Sequence, residues 1–453
     1  MTAHWAKDAI FYHVYPLGSS GAPHRNDFTT PPVGRLAQLY DWIGHWQAMG
    51  INALYLGPVF ESSAHGYDTA DYFRVDRRLG DNALLAALVK RLHEKGIRVI
   101  LDGVFNHVGR DFRAFQDVLQ HGAQSAYCAW FSGLRFDRRS PYGDPFTYDT
   151  WDGNYDLVKL NLAHPDVRQH LFAAVETWIR AFDIDGLRLD AADVMDPVFL
   201  QDLARFCRDR RPDFWLVGEV VHGDYRQVAN AQSLDATTNY ECYKGLYSSH
   251  NDRNYFELAH SLQRQFGPNG IYRDLSLYSF ADNHDVDRIA SRLSHPAHLY
   301  PLHLLLFTMP GVPSIYYGSE WGISGVKAQG GDPALRPTIL NPESTLRPHP
   351  SLVTALSRLT RVRHGADALR HGAYRQLAVQ AEQFAFARQT PHQTVVVVVN
   401  AADEPSSLVL EVPDLTGRTL TDALDPGTGF RVSDGRVTID PIPSCWGRIL
   451  LAS

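Results

Sequence analysis

Five short apolar runs in this chain end abruptly in acids, amides and histidines. They are GIRVILDGVFNH (96–107), DIDGLRLDAAD (183–193), FWLVGE (214–219), LYSFADNHD (277–285) and GVPSIYYGSE (311–320). Runs of this length, rich in Val, Ile, Leu and aromatics, predict buried parallel strands, and helix-like stretches separate them. In a closed barrel of alternating strands and helices, every strand directs its carboxyl end to one face, where the active site lies. We therefore expect a single pocket that contains Asp102, Asn106, His107, Arg188, Asp190, Glu219, His284 and Asp285.

The number of such strands indicates the fold class. Eight candidates, the number that closes a (β/α)8 TIM barrel, lie at 9–15, 51–56, 97–101, 186–190, 214–218, about 234–240, 277–281 and 312–317. Segments with apolar residues at three- and four-residue spacing predict helices at 34–49, 81–95, 165–182, 196–211, 253–266 and 297–308. We predict that residues 1–106 and 163–371 form the catalytic barrel.

Two segments depart from the alternation of strands and helices. Residues 107–162 are rich in Asp, Gly, Tyr and Phe and weakly periodic, which predicts an irregular subdomain B inserted after the third strand. After Gly372 the β-type runs QLAVQAE, QFAFARQ, QTVVVVVNAA, SSLVLEV and CWGRILLA predict an antiparallel β-sandwich domain over 372–453.

Composition excludes several classes of function. A net charge of −7 and a pI near 6.3 give no excess of positive charge that would attract nucleic acid or an anionic membrane. No stretch approaches the roughly 18 apolar residues that span a bilayer, and the N-terminus lacks the pattern of a secretory signal. The four cysteines have no paired spacing and are predicted to be free thiols. These features predict a cytoplasmic protein.

The carboxylates at the strand ends suggest cleavage of a glycosidic bond. Retaining cleavage needs two carboxyl groups roughly 5–5.5 Å apart, one as nucleophile and one as acid/base. Asp190 ends the fourth predicted strand and Glu219 the fifth, so the two side chains should be neighbours. Arg188, two residues before Asp190 and on the same face, would keep that carboxylate ionised. Asp285 is a third carboxylate, suited to holding sugar hydroxyls.

Several of these segments resemble a known family. DGVFNH, GLRLDAAD, the Glu of VGEV and FADNHD look like the four signature regions of the α-amylase family of glycoside hydrolases, as do residues 65–81 and 310–320. The resemblance covers residues 8 to about 340. It implies that Asp190 is the nucleophile, Glu219 the general acid/base and Asp285 the transition-state stabiliser. It also implies substrate contacts at the cleavage site from Tyr67, Asp68, His107, Arg188 and His284, and at the next sugar from Asp332 and Arg336.

The resemblance is less uniform at the subfamily level. Lys159, Leu160 and Asn161 are similar to the MPKLN segment of neopullulanases, cyclomaltodextrinases and maltogenic amylases. Asp193 and Val194 stand where those enzymes read Asn-Glu, and the chain begins directly at the barrel. This combination looks most like compact members such as the cyclic maltosyl-maltose hydrolases.

The resemblance implies a retaining hydrolase of α-1,4 or also α-1,6 bonds in short or cyclic malto-oligosaccharides. A transglycosylase or isomerase, an endo-acting starch α-amylase and a non-catalytic barrel are the alternatives. The partner expected is a small oligosaccharide, with no nucleic acid and no membrane, and the chain is a monomer or a homodimer. No cofactor is required, although Asn106 matches a ligand of the structural calcium found in many relatives.

Overall fold

Eight parallel strands form a barrel in the computed structural model, which describes residues 4–327, 333–343 and 345–452. They are β1 (Phe11–Val14), β2 (Ala53–Leu56), β3 (Arg98–Gly103), β4 (Gly186–Leu189), β5 (Trp215–Gly218), β6 (Ala236–Thr237), β7 (Tyr278–Phe280) and β8 (Val312–Tyr316). β1 to β6 pair in chain order, and β1 pairs with β8, which pairs with β7. A bridge between Thr238 and Tyr278 joins β6 to β7. This arrangement confirms the predicted TIM barrel, and all eight predicted strands are present.

Aromatic side chains fill the interior of the barrel. Phe11, Trp215 and Tyr278 point inward from three strands, and the rings of Phe11 and Trp215 stack with their centroids 5.1 Å apart. Trp5, on the short helix His4–Asp8 that precedes β1, packs on both rings and closes the amino-terminal end. The barrel interior is therefore a packed core, and the pocket lies at the carboxyl ends of the strands.

Helices surround the barrel close to the predicted positions. Asp81 and Asp196 cap two of these helices by accepting hydrogen bonds from backbone N–H groups of their first turns. The predicted segments correspond to helices Ile43–Ala48, Asn82–His93, Pro165–Phe182, Pro197–Arg210, Phe256–Phe266 and Leu299–Thr308. Further helices lie at Pro16–Ser19, Tyr240–Asn251, Ile289–Arg292, Pro350–Gly365 and Asp367–His371.

The segment inserted after β3 is more regular than its sequence suggests. It contains helix Arg113–His121 and an antiparallel sheet in which Asn154–Lys159 pairs with His107–Gly109 and Thr150–Trp151. Gly109 lies against a hairpin formed by Phe60–Ser62 and Thr69–Val75, where a Cβ atom would come within 2.4 Å of the Asp68 carbonyl oxygen. This close approach brings the insertion against the loop that carries Tyr67 and Asp68.

The C-terminal part of the chain forms the predicted antiparallel β domain. Six strands make one sheet, in the order Ala373–Val379, Gln383–Gln389, Thr394–Asn400, Trp446–Ala452, Thr419–Asp422 and Gly429–Arg431. Ser406–Glu411 and Arg436–Ile442 form a second layer, and apolar side chains from both layers pack between them. The limits of the three domains stay predictions. Among helices of the described residues, none has the length and apolar character that crossing a membrane demands.

Candidate active site

The guanidinium group of Arg188 lies at the centre of the pocket and contacts three carboxylates. Its Nη1 donates hydrogen bonds to Asp190 Oδ1 at 2.8 Å and to Asp102 Oδ1 at 2.9 Å. Its Nη2 forms an ion pair with Glu219 Oε2 at 2.8 Å. The parallel register of β3, β4 and β5 pairs Asp102 with Arg188 and Arg188 with Val217, so these side chains leave adjacent strand ends. Asp190 and Glu219 thus flank a single cation.

Two backbone features hold β4 and β5 at this spacing. Gly186 begins β4, where a Cβ atom would lie 2.3 Å from the Trp215 carbonyl oxygen. Ala191, directly after Asp190, adopts a left-handed conformation with φ of 49°, which costs an L-residue about 1–2 kcal/mol. This turn directs the Ala191 N–H toward Glu219 Oε2 at 3.3 Å. The strained residue therefore ties the backbone after Asp190 to the carboxyl group of Glu219.

Several charges act on the Asp190 carboxyl group at once. Burial raises the pKa of Asp190 well above its ordinary value, and the negative charges of Glu219 and Asp102 act in the same direction. The Arg188 guanidinium opposes this rise. Three carboxylates around one cation would leave an excess of negative charge, so a proton held by the group is favoured.

Asp285 occupies a different electrostatic environment at the end of β7. His284 Nε2 lies 3.0 Å from Asp285 Oδ2, and Arg336 Nη2 donates to Asp285 Oδ1 at 2.9 Å. Burial on its own would raise the pKa of Asp285, but His284, Arg336 and Arg188 lower it below the usual range of an aspartate. Asp285 is therefore ionised, in contrast to the group around Arg188.

Aromatic and imidazole rings line the pocket beside these acids. The rings of Tyr67 and His284 stack with their centroids 5.3 Å apart, and Tyr67 Oη donates to Asp102 Oδ2 at 2.9 Å. His107 Nε2 lies 3.8 Å from Asp190 Oδ2 and is buried without a hydrogen-bond partner among the described residues. Burial lowers the pKa of His107 to about 3, so the ring is neutral near pH 7.

Of the remaining predicted site residues, Asp68 and Arg336 lie at the pocket, and the position of Asp332 is not described. Asp68 lies in the loop beside the pocket, where its Oδ1 accepts hydrogen bonds from the backbone of His65 and Gly66. Arg336 reaches the pocket, since its Nε also donates to the His284 carbonyl oxygen at 3.1 Å. Asp332 lies outside the described residues. The structure thus brings together the predicted residues that it describes.

Sequence reasoning missed three aromatic residues of the pocket. Tyr55 Oη donates to Asp102 Oδ2 at 2.7 Å from within β2, and Tyr240 Oη donates to Glu219 Oε1 at 3.1 Å. Trp151 is 38% exposed on the insertion, with its ring centroid 5.8 Å from that of His107. The inward position of Tyr55 in its strand was a usable signal, whereas Tyr240 and Trp151 follow no pattern that separates them from packing residues.

The family of the chain follows from comparison with known proteins. The model of the α-amylase catalytic domain matches residues 23–347. The chain belongs to the α-amylase family of glycoside hydrolases. Cyclomaltodextrinase of Geobacillus thermopakistaniensis is 32% identical, with 99% of this chain and 77% of that protein aligned. Neopullulanase 2 of Thermoactinomyces vulgaris is also 32% identical, over 93% of this chain and 74% of its own length.

A solved structure agrees with this assignment. The ligand-free cyclic α-maltosyl-(1→6)-maltose hydrolase of Arthrobacter globiformis superposes with a TM-score of 0.82 at 26% identity. The match covers 99% of this chain and 100% of that chain. This α-amylase-family enzyme is therefore similar to a cyclomaltodextrinase and a neopullulanase in sequence, and to a cyclic α-maltosyl-(1→6)-maltose hydrolase in fold.

The structural calcium of many α-amylase-family enzymes requires six to eight oxygen ligands. Asn106 Oδ1 is buried without a hydrogen-bond partner among the described residues and could supply one of them. In the insertion, Asp111 accepts a hydrogen bond from Ser63, and Asp144 binds Arg110 through both oxygens. Around Asn106, the described residues do not gather three ionisable ligands. Of the six to eight oxygens that calcium requires, these observations account for one.

Proposed function

We propose that this enzyme hydrolyses α-glucosidic bonds in short or cyclic malto-oligosaccharides and retains the anomeric configuration. One observation carries the proposal: a single buried guanidinium, that of Arg188, contacts both Asp190 and Glu219. A pair of adjacent carboxyl groups is the requirement for retaining glycoside hydrolysis. Asp190 is the nucleophile, Glu219 the general acid/base, and Asp285 the residue that stabilises the transition state.

The division of roles between the two carboxyl groups rests on their hydrogen bonds. Arg188 Nη1 donates a hydrogen bond to Asp190 and holds its carboxylate in position, whereas Glu219 Oε1 accepts a hydrogen bond from Tyr240 Oη at the end of the next strand. We therefore assign nucleophilic attack to Asp190 and proton transfer to Glu219. Opposite protonation states in two neighbouring carboxyl groups are the arrangement that acid and nucleophile need.

The reaction then proceeds in two displacements. Glu219 transfers its proton to the glycosidic oxygen while an Asp190 oxygen attacks the anomeric carbon, so that the leaving sugar departs and a glycosyl–Asp190 ester forms. Glu219, now ionised, removes a proton from water, and the resulting hydroxide attacks the same carbon and releases Asp190. Two inversions at one carbon give net retention, and no cofactor takes part.

The residues around this pair bind the sugar. The buried Nε2 of His107 and Nδ1 of His284 have no hydrogen-bond partners among the described residues, so both are free to contact sugar hydroxyls. The ionised Asp285 stabilises positive charge that develops on the sugar ring in the transition state. Tyr67 stacks beneath that sugar, Asp68 supports the same loop, and Asp332 and Arg336 belong to the next sugar on the non-reducing side.

Two sources support short or cyclic substrates. The named activities of the relatives, cyclomaltodextrinase and cyclic maltosyl-maltose hydrolase, concern small cyclic oligosaccharides. On the leaving-group side, Asp193 and Val194 lie exposed on the short helix Ala192–Val194 that follows Asp190, and Val194 is 50% exposed. This helix lies directly after the nucleophile, where it can contact the leaving group. We propose that the enzyme cleaves α-1,4 bonds and that it can also cleave α-1,6 bonds.

A substrate panel with product analysis tests the proposal. The enzyme is incubated with maltotriose, maltohexaose, β-cyclodextrin, cyclic maltosyl-maltose, pullulan and soluble starch, with Asp190→Asn as the control for contaminating activity. We expect faster cleavage of the short or cyclic substrates, and an α-anomer as the first product by NMR. Fastest cleavage of starch would reject the substrate class, a first-formed β-anomer would reject the mechanism, and products longer than the substrate would identify a transglycosylase.

A further inference from the structure

Two histidines and a cysteine meet where the barrel contacts the C-terminal domain. One ring nitrogen of His295, one of His298 and Cys445 Sγ all lie within 4.8 Å of one another. The histidines belong to the segment that leads into barrel helix Leu299–Thr308, and Cys445 lies in the turn between strands Arg436–Ile442 and Trp446–Ala452. Cys445 is a free thiol. We call His295, His298 and Cys445, together with Asp403, the seam cluster.

Asp403 lies beside these three groups, outside the set whose atoms are all within 4.8 Å of one another. Its Oδ1 lies 3.5 Å from His295 Nε2 and 3.8 Å from Cys445 Sγ. Its other oxygen, Oδ2, accepts a hydrogen bond from Arg253 Nη2 at 2.8 Å. Arg253 thus fixes the carboxylate and leaves Oδ1 facing the histidine and the thiol. Groups that orient a ligand in this way are the usual second layer of a metal site.

The imidazole rings of the seam cluster have unused buried nitrogen atoms. Nδ1 of His295 and Nδ1 of His298 are both buried without a hydrogen-bond partner among the described residues. His298 is 1% exposed, and its Nε2 lies 3.0 Å from the Ala401 carbonyl oxygen, to which it donates. In the neutral ring this donation leaves Nδ1 as an unprotonated lone pair. A buried lone pair without a partner is unfavourable unless a proton donor or a metal ion satisfies it.

We propose that His295, His298, Cys445 and Asp403 bind one zinc ion. Two imidazoles, a thiolate and a carboxylate are the donor types that Zn²⁺ takes in tetrahedral sites. The thiol loses its proton on binding, and the two negative ligands then balance the charge of the ion. Tetrahedral bonds of about 2.0–2.3 Å separate the ligand atoms by roughly 3.3–3.8 Å. The atoms of His295, His298 and Cys445, which lie within 4.8 Å of one another, therefore close in by about 1 Å when zinc binds, and the Asp403 carboxylate turns toward them. The site is independent of the proposed catalytic function.

Such an ion would cross-link two parts of the chain. His295 and His298 come from the barrel, while Asp403 and Cys445 come from two loops of the C-terminal domain. Because the ligands assemble only when the two parts are packed together, zinc binds the folded chain in preference to the unfolded one. Zinc should therefore raise the melting temperature. The ion has a structural role, since the four ligands leave no open coordination position.

Metal binding is measured on the full chain after removal of metal with EDTA. Zinc uptake is followed by elemental analysis and by competition with a chromophoric chelator, and Co²⁺ replaces zinc as a spectroscopic probe. The variants are Cys445→Ser and His295→Gln. Cys128→Ser is the matched control, because Cys128 is a partly buried free thiol in the insertion, remote in sequence from the seam cluster.

We expect one zinc per chain and a thiolate-to-cobalt charge-transfer band in the wild type and in Cys128→Ser. Cys445→Ser should lose that band, and both seam-cluster variants should bind zinc at least about 100-fold more weakly. Substoichiometric uptake by the wild type, or equal affinity in Cys445→Ser, would overturn the proposal. If Cys445→Ser does not fold, the wild-type cobalt spectrum and the zinc affinity of His295→Gln test the proposal. His295→Gln should fold, because the His295 side chain is 40% exposed.

Discussion

Tyr240 Oη donates a hydrogen bond to Glu219 Oε1 at 3.1 Å. The direction of this bond is fixed, because Asn283 Nδ2 donates to the same hydroxyl oxygen at 3.1 Å and leaves the tyrosine proton for Glu219. Asn283 follows β7, and Tyr240 begins helix Tyr240–Asn251 after β6. The end of β7 therefore orients, through one tyrosine, the carboxyl group at the end of β5.

Tyr240→Phe tests this relationship. Loss of a hydrogen bond to a carboxyl group that must be held in place should reduce kcat about 10- to 100-fold and leave KM nearly unchanged. Steady-state kinetics on maltotriose measures both constants. Tyr243→Phe is the control, because Tyr243 lies on the same helix and packs on Phe280 without contacting Glu219. A rise in KM at constant kcat would instead indicate that Tyr240 binds substrate.

Asp190→Asn should abolish turnover while the fold remains intact. The amide cannot form the covalent intermediate, so kcat should fall by on the order of 10⁴-fold or more. Circular dichroism and thermal melting show whether the fold is retained. Asp209→Asn, an exposed position on helix Pro197–Arg210, should keep most of the activity on the same substrate. Substantial turnover by Asp190→Asn would remove Asp190 from the mechanism.

Glu219→Gln should change the acidic limb of the pH profile when the substrate has a good leaving group. Maltosyl fluoride needs no proton from an acid, so its first-turnover fluoride release reports on Asp190 alone. Asp190 must be ionised to attack, and activity therefore falls as the pH drops through its raised pKa. Removing the negative charge of Glu219 lowers that pKa, which moves the acidic limb to lower pH.

The control for this shift is Glu94→Gln, since Glu94 is an exposed acid on the barrel surface. Its profile for fluoride release should coincide with that of the wild type. An unchanged limb in Glu219→Gln would mean that the charge of Glu219 does not act on Asp190. A limb at higher pH would mean that the ion pair between Arg188 and Glu219 governs the titration.

His303 should make the fold sensitive to acid. Burial lowers the pKa of His303 to about 4, below the roughly 6.5 of an unfolded chain. The unfolded state therefore takes up the proton first, and stability is lost as the pH falls from about 6.5 to about 4. This one residue should account for about 3 kcal/mol of the free energy of unfolding across that range.

His303→Asn keeps an amide near the Leu299 carbonyl oxygen that His303 Nδ1 contacts at 2.6 Å, and removes the titration. Urea unfolding at the two ends of the pH range should show a smaller loss of stability in this variant. The exposed His392→Asn serves as the control and should follow the wild type. If His303→Asn loses as much stability at low pH as the wild type, other groups cause the acid sensitivity.

Calcium chelation should have little effect on this enzyme. Among the described residues, Asn106 provides one unpartnered oxygen and no cluster of three ionisable ligands lies beside it. We therefore expect dialysis against EGTA to leave kcat and the melting temperature unchanged. EGTA is chosen because it prefers calcium. A loss of activity that Ca²⁺ restores and Mg²⁺ does not would show that calcium binds.

The strands and the residues at their ends could be predicted because the signal is local. An apolar run such as the one before Asp190 can be buried on both faces only inside a covered parallel sheet, and in that sheet its end must face the pocket. The spacing of Arg188 and Asp190 likewise fixes their common face through strand alternation. The first turns of helices at Asp81 and Asp196 follow from capping chemistry in the same way.

Contacts between distant segments could not be predicted, because they depend on how the whole chain packs. Tyr240 looks like any buried aromatic until β6 and β7 bring it between Glu219 and Asn283, and the insertion becomes a regular sheet only by packing on the hairpin beside Tyr67. The seam cluster joins residues 295 and 445, which no local pattern relates. Burial and alternation act over a few residues, so the barrel strands and the end at which the pocket lies could be predicted from the sequence. The partners of each polar group depended on long-range packing, which no short segment encodes.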